Sequence, residues 1–105
     1  MRDLKFMVYG QKLSRAKGCD FSSIVAGTYG YLRAHFWFSQ EWDGCKKVAV
    51  FCSQGKEYPV PLQYNFCKIP EEALHGSSVQ VYVVGRRDGY QITTDVTAFP
   101  QLVRR

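Results

Sequence analysis

The stretch Phe36-Trp-Phe-Ser-Gln-Glu-Trp-Asp-Gly-Cys-Lys-Lys-Val-Ala-Val-Phe51 holds two tryptophans and three phenylalanines around a small acidic knot. Two apolar runs, Leu32–Phe38 and Val48–Cys52, flank the polar joint Ser39-Gln-Glu-Trp-Asp-Gly44. Apolar, β-branched and aromatic runs separated by such a joint predict two strands joined by a hairpin or a strand-to-strand corner. Trp42 is the odd member, a large apolar residue inside the turn. Phe36, Phe38 and Phe51 are expected in the core, with Trp42 folded back as a plug over the open end of a sandwich.

The same alternation extends outward. Leu4–Tyr9 predicts a first strand, Gly10-Gln11 a turn, and Lys12–Arg15 a short return. Tyr29–Phe38 predicts the longest strand, with Leu32, Ala34, Phe36 and Phe38 on one face and Tyr31, Arg33, His35 and Trp37 on the other. Lys46–Cys52 is apolar on both faces, as in the middle of a packed sheet. Pro59 and Pro61 mark Glu57–Leu62 as an edge or irregular segment. Phe66–Ile69 precedes Pro70-Glu-Glu-Ala-Leu74, read as one helical turn with Pro70 at its first position. Val79–Val84 puts Val79, Val81 and Val83 on one face and Gln80, Tyr82 and Val84 on the other. A turn at Arg87-Asp88-Gly89, a return at Tyr90–Thr94 and a last strand over Val96–Val103, broken at Pro100, complete the chain. Seven or eight short strands with turns every 8–12 residues predict one all-β, immunoglobulin-like sandwich spanning residues 1–105.

Composition agrees. The 105 residues suit one domain, 46% are apolar, and the 15% of aromatics sit among Val and Thr. The net charge of +5 raises nucleic acid as a partner. Lys46-Lys47, Arg86-Arg87 and Arg104-Arg105 are only short pairs, the pattern of a solvated surface, so no nucleic-acid partner is expected. Cys19, Cys45, Cys52 and Cys67 show no C-x2-C spacing, and His35 and His75 complete no finger. The expectation is four free thiols, no metal and no cofactor. The first residues carry no apolar stretch, so no signal peptide is predicted, and no run approaches the length of a membrane span.

Catalytic groups are not evident. Glu41 and Asp43 flank Trp42 as turn residues, which need only solvent and a backbone amide. His35 has no serine or cysteine beside it in sequence, and Gly27-Thr-Tyr-Gly30 lacks the lysine of a phosphate loop. The expectation is a non-enzyme that acts through the outward set Tyr31, Arg33, His35, Trp37 and Tyr82. That face is either an interface or is covered by a second layer or by residues 17–27.

The order of motifs resembles the immunoglobulin-like N-terminal domain of phage baseplate upper proteins and related small tail components. The resemblance rests on Tyr31-Leu32, Phe36-x-Phe-Ser-x-Glu-Trp-Asp-Gly44, Lys47-x-Ala-x-Phe51, Cys67-x-Ile-Pro-x-Glu-x-Leu74, Val81-x-Val-x-Gly85 and Ile92-Thr-Thr94. It implies a structural or host-attachment part of a virion, made in the bacterial cytoplasm, that assembles with itself or with other tail proteins as a homo-oligomer. A carbohydrate-binding module, reading host-surface glycan through exposed aromatics, is the alternative. In the family the domain often precedes further segments, whereas this sequence stops at Arg105.

Overall fold

The structure, a computed structural model, describes residues 1–103; Arg104 and Arg105 lie outside the described residues. Nine strands form two sheets: β1 (Arg2–Tyr9), β2 (Lys12–Arg15), β3 (Leu32–Phe38), β4 (Lys46–Ser53), β5 (Lys56–Pro61), β6 (Phe66–Lys68), β7 (Ser78–Arg87), β8 (Tyr90–Thr93) and β9 (Thr97–Pro100). The first sheet runs β2-β1-β3-β6. The second runs β5-β4-β7-β8, with β9 also paired to β7. β8 meets the C-terminal end of β7 and β9 meets its N-terminal end, so the two share one flank of that long strand. The fold is an all-β sandwich.

Its interior follows from the alternation. Leu4, Phe6, Val8, Leu32, Ala34 and Phe36 from the first sheet face Ala49, Phe51, Val79, Val81, Val83 and Phe99 from the second, and all are buried. Phe6 stacks on Phe36 with ring centres 5.0 Å apart. Each such Phe contributes roughly 1.5–3 kcal/mol by leaving water. Phe21, Ile24 and Ala26 are buried too. Phe21 packs edge-on against Phe6 at 5.4 Å, and Val25 bridges to Leu102. The segment 17–27 therefore closes a flank of the sandwich instead of covering an outer face.

Several boundaries differ from those expected. The described residues form nine strands, not seven or eight, because even the three residues of β6 find a partner along Arg33–His35. β3 starts at Leu32, since the Gly27 amide is drawn to the Leu74 carbonyl (2.6 Å) and the intervening residues form a loop. The Pro70 turn is a 3-10 helix over Glu71–Ala73, and Pro70, extended at ψ 137°, stands before it as the cap. Phe38 is only partly buried: its ring lies under the Lys47 ammonium at 4.9 Å. β1 and β3 run parallel, from Arg2 opposite Leu32 to Val8 opposite Phe38. Gln54 and Gly55, at φ 53° and 77°, make the two-residue turn into β5, an edge strand that carries Pro59 and Pro61.

The joint after β3 is a corner and not a hairpin, because β3 and β4 belong to different sheets. Gln40–Trp42 forms a second 3-10 turn, which swings the Trp42 ring inward to full burial. The indole Nε1–H donates to the Gly10 carbonyl at 2.8 Å. One ring thus ties the β1–β2 turn to the β3–β4 corner and lies on β7 at Gly85. This is the plug expected from the sequence.

All four cysteines are free, and Cys67 is buried between the sheets. Burial pushes the Cys67 thiol up to about 12. In native protein at pH 8, Cys67 should therefore be the slowest thiol to react with iodoacetamide, and unfolding should release four thiols per chain. Mass spectrometry of the alkylated protein checks this; Cys67 labelling as fast as Cys19 would contradict its burial. Among the described residues, no helix is long and apolar enough to cross a membrane.

Candidate interaction surface

The outer face of the first sheet is built by the residues that alternate with its core. Their side chains leave β1 at Asp3, Lys5, Met7 and Tyr9, and leave β3 at Arg33, His35 and Trp37. Parallel register sets Asp3 beside Arg33, Lys5 beside His35, and Met7 beside Trp37. β2 adds Lys12 opposite Tyr9, and β6 adds Phe66 opposite His35 and Lys68 opposite Arg33.

At one end of the face stand Tyr9 and Trp37, 63% and 45% exposed. Their ring centres are 5.0 Å apart and the planes are tilted by 48°. They are diagonal neighbours across the β1–β3 ladder, a spacing that aromatic side chains bridge. The pair forms a raised knob with its edges in water.

The other end is a packed polar cluster. Arg33 binds the Asp3 carboxylate through Nε and an Nη at 2.8 and 3.1 Å. That hydrogen bond holds the Asp3 carboxyl below its ordinary range. The Arg33 guanidinium lies 4.3 Å from the centre of the Phe66 ring, and His35 stacks on the same ring at 4.0 Å and 9°. Tyr31, just ahead of β3, is half exposed, and its carbonyl accepts from the Arg2 amide at 2.8 Å.

Four of the five expected surface residues, Tyr31, Arg33, His35 and Trp37, therefore share one region. Tyr82 does not belong with them. It sits on β7 in the second sheet, on the side opposite Val81 and Val83, so it faces away from the first sheet's outer surface. Its hydroxyl donates to Glu57 at 3.0 Å, and burial together with this carboxylate raises its pKa. Conversely, Tyr9, Lys5, Lys12, Phe66 and Lys68 were not anticipated. Leu4–Tyr9 reads only as a first strand, and nothing local places that strand beside β3.

No protein-family model, curated protein or solved structure matches this chain. The chemistry of the face itself is what bears on function. It gathers three large exposed rings (Tyr9, Tyr31 and Trp37), four cations (Lys5, Lys12, Arg33 and Lys68) and one strand carboxylate, Asp3, already bound to Arg33. Lys12 reaches sideways to Asp95 at 3.3 Å.

Proposed function

We propose that this chain is a non-enzymatic structural component of a phage or prophage tail or baseplate, carried in the virion and acting through protein–protein contacts. The observation that carries the reading is the exposed Tyr9–Trp37 pair on a regular sheet face. Large aromatic rings left in water on a sheet face are typical anchors of an interface. The resemblance of the Phe36–Gly44 corner to tail components supplies the setting, and that corner acts here as a structural joint.

The glycan-binding alternative uses the same rings. Sugars stack on open ring faces, whereas Trp37 and Tyr9 turn part of their faces toward each other at 5.0 Å. A tilted knob suits a socket in another protein better than a flat sugar. Tail particles released from the native host after prophage induction test the reading. Mass spectrometry of the purified particles should find this chain in stoichiometric amounts with tail proteins; its absence from every particle fraction would overturn the proposal.

A further inference from the structure

We infer that the partner of the Tyr9–Trp37 face is an acidic polypeptide surface and not a second copy of this chain. The inference rests on the assembly reading above and adds the chemistry of the contact. Lys5 and Lys68 are exposed and make no ion pair among the described residues; Asp3, the one carboxylate on the four strands, is held by Arg33, while Glu41 and Asp95 stand at the Gly10 and Lys12 margin. A two-fold contact through this face would bring one cation-rich patch against an identical cation-rich patch, because each patch meets itself. Like charges placed together at an interface disfavour that pairing, while carboxylates around an apolar socket would complement it.

The rings also separate a protein from a nucleic acid. Base stacking needs an open aromatic face. The Phe66 ring is occupied by Arg33 and His35, and Trp37 leans on Tyr9. What remains free is the rim of the Tyr9–Trp37 knob and the Tyr31 ring ahead of β3, with Lys12 beside Tyr9 and with Lys5 and Lys68 toward the other end of the face. β1 and β3 run together for seven residues. With four strands at the usual spacing and rise, the face covers on the order of 400 Å2. That is about half of what one partner buries in a standard stable interface. A single contact of this size is weak and becomes durable when repeated in an assembly.

The test uses the whole chain, isotopically labelled, titrated with a synthetic peptide in which Glu alternates with Leu and Ser, and with its Lys-for-Glu twin. Dextran sulfate and oligo-dT serve as anionic probes without a polypeptide. The Glu peptide should shift the Trp37 indole and the amides of β1 and β3, and the Lys twin should not. Lys5→Glu with Lys68→Glu should weaken the binding about tenfold, as should a rise to molar salt, which shortens the screening length to about 3 Å. Trp37→Ser, on an exposed position, should weaken it at least as much while leaving the rest of the spectrum folded. Equal binding of the Lys twin, or stronger shifts at Trp37 from dextran sulfate or oligo-dT, would overturn the inference. So would light scattering that reports a wild-type dimer which Trp37→Ser dissociates. That last result would leave the tail-component reading in place, whereas absence from virions would remove the reading itself.

Discussion

Trp42→Ala is expected to lower the unfolding free energy by roughly 3–5 kcal/mol, the range for truncating a fully buried aromatic. The ring is entirely enclosed, touches the face of β7 at Gly85, and lies 5.1 Å from the Phe38 ring. Its removal empties the end of the sandwich where both sheets and the corner meet. It also strips the partly buried Gly10 carbonyl of its indole donor at 2.8 Å. Trp42→Phe should fall between, since it keeps a ring and loses the bond. Glu41→Ala is the control. Glu41 is exposed; the Ser39 hydroxyl lowers its pKa, and its carbonyl, which the mutation keeps, accepts from the Tyr90 hydroxyl. That variant should leave the urea midpoint nearly unchanged. Equal midpoints for Trp42→Ala and Glu41→Ala would mean that the ring does not hold the corner.

The role of Trp42 was legible because a tryptophan inside a polar turn has little reason to be there unless it folds back. The strands were legible for a similar local reason. Leu32, Ala34 and Phe36 alternate with Arg33, His35 and Trp37, and proline pairs such as Pro59 and Pro61 announce an edge. What alternation gives is which side chains share a face of one strand. It does not say which strands lie side by side, because pairing is decided by contacts far apart in sequence. Thus β1 was expected next to β2 through the Gly10-Gln11 turn, while its parallel partner β3 lies some thirty residues on. Tyr9 was missed for this reason, and Tyr82 was grouped with Trp37 for the same reason. Both residues pointed outward, but two sheets have two outsides. Phe38 illustrates a smaller limit: its parity is inward, yet it stands at the strand's end where the core tapers, and Lys47 covers it in place of another apolar residue.

Gly85→Ala should destabilise by about 1–3 kcal/mol, the cost of forcing extra volume into a well-packed core. The sign is the informative part. Glycine inside a strand is normally a weak point, and alanine there would be expected to help by about 0.5–1 kcal/mol. Gly85 continues the inward series Val79, Val81, Val83 on β7 and pairs with Lys47 and Ile92. A methyl group there would lie 2.7 Å from two carbons of the Trp42 ring and 3.2 Å from the Cys45 Cβ. The ring is the buried plug and cannot swing aside without breaking its bond to Gly10. Glycine is therefore required by the space the tryptophan takes and not by backbone conformation. A double-mutant cycle separates this from a general intolerance of β7. In the Trp42→Ala background the clash is gone and the new methyl fills part of the cavity, so Gly85→Ala should be neutral or stabilising there. The two substitutions together should then cost less than their separate effects added. Strictly additive urea midpoints would break the link between Trp42 and Gly85. A Gly85→Ala variant more stable than the wild type would show that the plug does not sit on β7.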